Sequence, residues 1–419
     1  MPAILPDRTR CAARNACGGR ARAVSVRRVS AFGNFQNEIY LTGLGGTAPD
    51  LPTTAAGLEA RARETLSAAA FAYIAGSAST ERTAVGNVEA FGRHRIVPRM
   101  WRGASAPDAR DLSVDLFGLR LDAPVLTAPV GVLGMVHPDA EPAVGSVATA
   151  LGIGSVLSTA SSTPIEDVAA VSGENWWYQL YWPADDGVAE SLVRRATAAG
   201  AKAIVVTADT PGMGWRPRDL DLGHLPFLKA QGIANYLSDP VFRSRLAAPP
   251  ESSDEALQIA VLTWVGMFGN HTLRPADIAR VKEWTHLPVL VKGILHPDDA
   301  RAVVDAGADG VVVSNHGGRQ VDNAIAAVDA LGPVADAVGD SSTVLLDSGI
   351  RSGADILVAL ALGADAVLYG RPWVYGLGLA GRDGVQHALR CILADLDITM
   401  GLAGLTSLAE VDRSILAGG

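Results

Sequence analysis

The sequence predicts an α/β protein built on a (β/α)8 TIM barrel, and three observations support this fold. Eight short apolar runs, each as long as a buried strand, occur in the 419-residue chain. Most of them are followed by a stretch of helical periodicity, and several such stretches end in glycine, as at Gly200, Gly307 and Gly363. A doubly wound open sheet is the alternative, but it usually carries G-x-G-x-x-G after its first strand, and none follows here. Strand–helix alternation of this kind is typical of a barrel.

The eight predicted strands determine where the residues at their ends lie. In chain order they are Val125–Pro129, Gly154–Thr159, Trp177–Tyr181, Ala203–Thr207, Pro288–Lys292, Gly310–Ser314, Thr343–Asp347 and Ala366–Tyr369. Helices are predicted at Val188–Ala199, Asp298–Ala306 and Gly353–Leu362, and after Pro138.

The connection between Thr207 and Pro288 is about 80 residues long and interrupts this rhythm. Loops of such length in a compact domain are uncommon and usually functional. In a barrel, this connection would follow the fourth strand on the catalytic face. We expect a long lid-like loop over the active site there, with a disordered insertion as the alternative.

Three regions are expected along the chain. Residues 1–30 hold seven arginines and a single acidic residue, Asp7, which is typical of a disordered or mis-started extension or of a targeting peptide. Residues 31–120 are expected to form a helical segment that packs on the barrel. Residues 121–419 would form the barrel itself, since α/β barrels often exceed 250 residues as one unit.

Composition excludes several classes of protein. With 48% hydrophobic and 19% charged residues, the chain is globular rather than disordered. A net charge of -9 argues against nucleic acid as a partner. No apolar run approaches the roughly 20 residues that cross a bilayer. Cys11, Cys17 and Cys391 form neither a disulfide framework nor a metal site, so a cytoplasmic location without a metal is expected.

Polar and ionisable residues follow the ends of these apolar strands, where barrels build their active sites. His316 lies beside two glycines that allow close approach of a ligand, and Arg319 follows it. Lys292 and Asp209 also follow strand ends, and each has a purely structural interpretation as well. Lys292 could extend its amine to solvent, and Asp209 could cap a helix. Gly349 with Arg351 and Gly370 with Arg371 match the phosphate site that barrels form after strands seven and eight.

The string Ser314–Gln320, SNHGGRQ, closely resembles the signature of the FMN-dependent L-2-hydroxy acid oxidases and dehydrogenases. The resemblance covers roughly residues 50–410. It continues in the segments 291–293, 347–351 and 369–372, and upstream in 72–76, 179–181 and 207–211.

This resemblance implies the FMN cofactor, a small 2-hydroxy acid as substrate and a role for each matching residue. His316 would be the catalytic base, Asp209 would orient it, and Lys292 would lie near the flavin. Arg319 and Arg216 would bind the substrate carboxylate, with hydroxyl groups from Tyr73 and Tyr181. The FMN contacts would come from Pro129, Val130, Gly131, Ser158, Gln179, Thr207, Lys292, Ser314, Asp347, Gly349, Arg351, Gly370 and Arg371.

Within the family, the segments 37–40, 214–220, 225–227, 232–236 and 239–242 resemble the lactate 2-monooxygenase branch, which also carries glycine at the position of Gly131. The missing methyl group would leave room at the flavin edge. Ala160 stands where relatives carry larger residues, which predicts a roomier side-chain pocket. A peroxide-producing oxidase of lactate, mandelate or a longer acid, with O2 as acceptor, is the first alternative. A flavin-free, phosphate-binding isomerase or lyase is the alternative from another class. Relatives assemble as homotetramers or homo-octamers, and the same is expected here.

Overall fold

The computed structural model describes residues 31–106 and 109–418, and the predicted extension 1–30 lies outside this range. Four helices come first: α1 (Asn34–Leu44), α2 (Ala55–Thr65), α3 (Ala68–Ala75) and α4 (Arg82–Phe91). The hydroxyl of Ser67 accepts a hydrogen bond from the backbone N–H of Ala70 and so fixes the start of α3. This cap matters for the site, because α3 carries Tyr73.

A β-hairpin that the sequence did not predict closes the N-terminal end of the barrel. It consists of β1 (Val114–Leu116) and β2 (Leu119–Leu121). Leu116 and Leu121 pack in one apolar cluster with barrel residues such as Leu126. The ring of Phe117 in the turn lies 5.9 Å from the ring of Trp177, measured between centroids. The hairpin therefore leaves the opposite, C-terminal face as the open end.

Eight parallel strands form a closed barrel, as predicted. They run in chain order around it, with the last strand pairing with the first. Their bounds are β3 (Val125–Thr127), β4 (Gly154–Ser158), β5 (Trp176–Leu180), β6 (Ile204–Thr207), β7 (Val289–Ile294), β8 (Gly310–Val313), β9 (Thr343–Leu346) and β10 (Ala366–Tyr369). Nearly every strand residue is buried, which explains why these runs are continuously apolar rather than alternating.

Helices follow the strands and cover the barrel. The predicted ones are present as α5 (Ala140–Ala150), α7 (Asp186–Ala198), α13 (Pro297–Asp305) and α15 (Gly353–Ala361). The others outside the β6–β7 connection are α6 (Ile165–Ala169), α14 (Ala327–Val338) and α16 (Arg371–Ala403), which bends at Ala380 and Gly381.

The long connection between β6 and β7 lies on the expected face, but the prediction of a loop is wrong for much of its length. It contains α8 (Pro217–Asp221), α9 (Ala234–Leu237), α10 (Pro240–Arg243), α11 (Asp254–Met267) and α12 (Ile278–Trp284). An aromatic cluster holds it together: the ring of Trp264 lies 4.8 Å from that of Phe227 and 4.9 Å from that of Phe268. We call residues 208–288 the lid.

Asn235 fixes the lid to the barrel. It is fully buried, and its side-chain amide donates to the carbonyl oxygens of Ser158 and Thr159 at 3.3 and 3.1 Å. These carbonyls end β4, so the lid is attached beside the site rather than only at its two ends.

Candidate active site

A deep cavity opens at the C-terminal ends of the barrel strands. Its empty space, which includes the solvent in its open mouth, is about 1140 Å³. Every predicted substrate-binding residue lines it: Tyr73, Tyr181, Arg216, His316 and Arg319. Most of the predicted cofactor residues line it as well, namely Pro129, Val130, Gly131, Gln179, Thr207, Lys292, Asp347, Gly349, Arg351, Gly370 and Arg371.

Three predicted residues do not line the cavity but lie behind its wall. Asp209 bonds to His316, as described below. Ser158 donates from Oγ to Oε1 of Gln179 at 2.9 Å, and the Gln179 amide donates to Thr207 Oγ1 at 2.8 Å. Ser314 accepts from Lys292 Nζ at 2.7 Å and from the backbone N–H of His316 at 3.0 Å. These residues hold the lining side chains in place.

The turn after β8 presents His316 to the cavity. His316 has a backbone φ of 57°, a left-handed conformation in which histidine is enriched among non-glycine residues. Gly318 follows because α4 passes close by: a Cβ there would lie 2.6 Å from the backbone nitrogen of Ala84. The SNHGGRQ motif is thus a sharp turn packed under a helix, with its imidazole facing inward.

His316 is held from both ring nitrogens. Nδ1 lies 2.8 Å from Oδ1 of Asp209 and 3.2 Å from the hydroxyl of Thr210. Nε2 lies 3.3 Å from the hydroxyl of Tyr181. Thr210 also donates to Asp209 Oδ1 at 2.9 Å, a contact that sequence reasoning missed. The arrangement directs Nε2 toward the cavity and Nδ1 toward a carboxylate, as a base–orienter pair requires.

The environment favours a neutral imidazole beside an ionised carboxylate. Burial lowers the pKa of His316 below its ordinary value of 6.5; Asp209 opposes this shift, while Lys292 and Arg216 add to it. Burial alone would raise the pKa of Asp209, but the adjacent His316 and Lys292 hold it below its usual range. At neutral pH, His316 can therefore accept a proton.

Lys292 carries a buried positive charge in the wall of the cavity. Its Nζ lies 2.9 Å from Oδ2 of Asp347. Burial disfavours the charge, but Asp347 and Asp209 outweigh it and raise the pKa of Lys292. The amine is therefore a fixed cation that does not merely extend to solvent.

Four arginines, Arg216, Arg319, Arg351 and Arg371, line the cavity, and none forms a salt bridge with a carboxylate in the described ranges. Burial, together with the charge of Arg319, lowers the pKa of Arg216 to about 10. Burial also lowers the pKa of Arg371 to about 10, and the charges of Arg319 and Arg351 add to this. Asp219 interacts electrostatically with Arg216 and Arg319 without forming a salt bridge to either. Guanidinium groups that have no carboxylate in direct contact suit anionic ligands.

Gly131 does not leave a vacant space, which corrects the sequence argument about the missing methyl group. A Cβ at Gly131 would lie 2.7 Å from Cβ of Ala160 and 2.9 Å from its carbonyl oxygen. Ala160 already fills the room, and the backbone N–H of Val132 bonds to its carbonyl at 2.7 Å. The two loops after β3 and β4 thus form one wall.

Sequence reasoning missed the apolar side of the cavity. Met213, Phe227 and Phe268 from the lid line it, next to Val130 and Ala160. No sequence motif marks these residues. Their position follows from the fold of the lid, in which Phe268 also packs against Tyr181 with 6.0 Å between ring centroids.

Comparison with known proteins identifies the family of this chain. The family model described as FMN-dependent dehydrogenase matches residues 62–418. The chain belongs to the FMN-dependent dehydrogenase family. The resemblance inferred from the motifs is thereby confirmed, FMN is the cofactor, and the alternative of a flavin-free isomerase or lyase is set aside.

Relatives of this FMN-dependent oxidoreductase match over nearly their full length. The FMN-dependent alpha-hydroxy acid dehydrogenase qulF of Penicillium citrinum is 43% identical, over 92% of this chain and 96% of that protein. An L-lactate oxidase of Lysinibacillus sphaericus is 40% identical, over 88% and 94%. The crystal structure of a mandelate oxidase with benzoyl-formic acid superposes with a TM-score of 0.75 at 38% identity, over 87% of this chain and 98% of that one.

The residues present suit FMN. Gly349, Gly370, Arg351 and Arg371 all line the cavity, and backbone N–H groups together with guanidinium groups of this kind fit a phosphate. Lys292 and the amide of Gln179 line the same cavity and would supply polar groups to a flavin ring bound there. Within the described ranges, no helix is long and apolar enough to span a membrane, and no cluster of metal-ligating side chains occurs.

Proposed function

We propose that this enzyme oxidises L-2-hydroxy acids with a bulky apolar or aryl side chain to 2-keto acids, passing the electrons to O2 to give hydrogen peroxide. The observation that carries the proposal is the composition of one cavity. It joins a neutral base, two unpaired arginines beside that base and an apolar wall. The names of the oxidase relatives support O2 as the acceptor.

The substrate carboxylate would bind between Arg319 and Arg216. Both guanidinium groups line the cavity, and neither forms a salt bridge with a carboxylate in the part of the chain that the structure describes. Each guanidinium group interacts with the other's charge. Arg319 is oriented by the carbonyl oxygens of Tyr73 and Gly76, to which its Nη1 donates at 2.6 and 2.7 Å. A carboxylate placed there removes the repulsion and fixes the 2-hydroxyl group near His316.

His316 would take the proton of the substrate hydroxyl at Nε2, the nitrogen that faces the cavity. Asp209 at Nδ1 stabilises the imidazolium that results. Burial raises the pKa of Tyr181, so its hydroxyl stays protonated and can donate to the substrate oxygen. FMN, when bound, accepts the two electrons that leave the C–H bond of the substrate. The buried positive charge of Lys292 would stabilise the negative charge that a reduced flavin carries.

The pH dependence should report the neutral form of His316. Protonation removes the base, so kcat/KM should fall as pH decreases through a pKa below the ordinary 6.5. It should stay level above that value, because no other group proposed to transfer a proton titrates near neutrality. The check is kcat/KM between about pH 4 and 9. A midpoint above neutrality would contradict the assignment.

The apolar wall would select the side chain of the substrate. Phe227, Phe268 and Met213 offer aromatic and thioether contacts, and Ala160 leaves the space beside them open. An aryl or branched side chain fills this region better than a methyl group.

Ala160→Leu should therefore discriminate between substrates. Because the larger side chain fills the pocket, KM for L-mandelate should rise by about tenfold or more, while KM for L-lactate changes little. Steady-state kinetics with both acids provide the measurement, and Ala56→Leu on exposed α2 is the matched control. Equal changes in KM for both acids would mean that the substrate side chain does not lie beside Ala160.

A lactate 2-monooxygenase reaction is the second candidate, and the extensive lid favours it. A closed site that retains keto acid and peroxide lets them react to a decarboxylated acid, carbon dioxide and water. Gly131 leaves no extra space that would favour this outcome, since Ala160 occupies that space.

The deciding experiment measures hydrogen peroxide formed per hydroxy acid consumed, with the FMN-loaded enzyme in air. L-Mandelate, L-lactate and a longer aliphatic acid are compared. A ratio near one with accumulation of keto acid supports the oxidase. A ratio near zero with carbon dioxide release supports the monooxygenase, and no consumption of any acid rejects both.

A further inference from the structure

Gln320, the residue after Arg319, joins the catalytic turn to the lid through its side-chain amide. Nε2 donates to the carbonyl oxygens of Asp209 and Gly212, both at 2.8 Å. Oε1 accepts from the backbone N–H of Gly214 at 3.1 Å and from Nη2 of Arg216 at 3.0 Å. Both amide donors and both acceptor sites are thus used within one short segment.

That segment, residues 209–216, carries essential groups at its two ends. Asp209 orients His316 at one end, and Arg216 lines the cavity at the other. Between them, a Cβ on Gly214 would lie 2.6 Å from the carbonyl oxygen of Arg319, so the segment is pressed against the turn. Arg216 also donates from Nε to that same carbonyl oxygen, at 3.2 Å.

We propose that Gln320 is a positioning residue that sets Arg216 for the substrate carboxylate. The inference rests on the proposed function of the cavity. The hydrogen bonds that Nε2 donates here require the side-chain amide of glutamine and would not be made by the carboxylate of glutamate, which has a similar shape. A neutral amide bonds to Arg216 and leaves its charge available, whereas a carboxylate in the same place would form an ion pair with it. A carboxylate would also face the two lid carbonyls that now accept hydrogen bonds.

Substrate binding and the rate of flavin reduction distinguish the positioning of Arg216 from a general stabilisation of the lid. Arg216 binds substrate but transfers no proton, so its displacement weakens binding and leaves the saturated rate almost intact. Displacement of Asp209 instead would slow proton removal at every substrate concentration. Comparing the change in Kd with the change in the limiting rate of flavin reduction therefore shows which end of the segment depends on Gln320.

The test uses the FMN-loaded Gln320→Met and Gln320→Glu enzymes, with exposed Gln231→Ala in the lid as control. Anaerobic mixing with L-mandelate gives the apparent Kd and the limiting rate of flavin reduction. Titration with benzoylformate, followed by flavin absorbance, measures carboxylate binding without turnover. Flavin content and thermal melting show that each variant is folded, and Q320E keeps the test open if Q320M does not fold.

For Q320M we expect both Kd values to rise about tenfold, the size of one charge-assisted hydrogen bond, with a limiting rate close to wild type. Q320E should bind benzoylformate still more weakly, and Q231A should match wild type. An unchanged Kd in both variants, or a limiting rate that falls as much as binding does, would overturn the proposal. If the wild-type enzyme binds benzoylformate but oxidises no hydroxy acid, the proposed function is wrong. The role of Gln320 can then still be tested through the Kd for benzoylformate.

Discussion

His316→Asn should lower the rate of flavin reduction by about 10²–10⁴-fold, the usual contribution of a general base. Asparagine tolerates the left-handed backbone that His316 adopts, with φ of 57°, so the turn should persist. Its amide cannot take the proton of the substrate hydroxyl. FMN should remain bound, since the predicted phosphate contacts lie on other strands.

The measurement is the anaerobic bleaching of the flavin at saturating substrate. His296→Asn is the matched control, because this exposed histidine caps α13 and asparagine is a preferred capping residue. A rate for H316N within tenfold of wild type would show that another group takes the proton.

Asp209→Asn should produce the second largest loss, about two to four orders of magnitude in the same rate. An amide at this position can donate to Nδ1 and so favours the tautomer that carries its proton on Nε2. The nitrogen that faces the substrate would then be blocked. The exposed lid residue Asp221, replaced by Asn, provides the control.

A second measurement separates this effect from a loss of folding. Asp209 raises the pKa of His316 against the opposing effect of burial. Without the carboxylate, that pKa should fall further, and the midpoint of the kcat/KM profile should move to lower pH. A midpoint that stays in place, or moves upward, would mean that Asp209 acts on another group.

The barrel could be predicted because its strands are buried on both sides and therefore apolar throughout. The polar residues at their ends stood out for the same reason, and His316 and Arg319 were found in this way. The lid was not predicted as helical, because its regularity is hidden. Ile259 and Leu262 on α11 are exposed although apolar, which blurs the helical pattern.

Other features of the site depend on contacts between distant segments. Thr210 and Gln320 gain their roles from neighbours that only the folded chain brings together. The hairpin β1–β2 consists of two three-residue strands, too short for a periodic signal. The interpretation of Gly131 failed for the same reason, since the methyl group that occupies its space belongs to Ala160.

The contact between Gly131 and Ala160 sets a condition on any attempt to redesign this enzyme. A side chain added at Gly131 meets Ala160 on the other loop, so single replacements of Gly131 in a mutant library mainly sample displaced loops rather than new specificities. Effects at the two positions should be strongly non-additive, as expected for residues in contact. Useful variants should therefore arise as coupled pairs, with an exchange at one position compensated at the other.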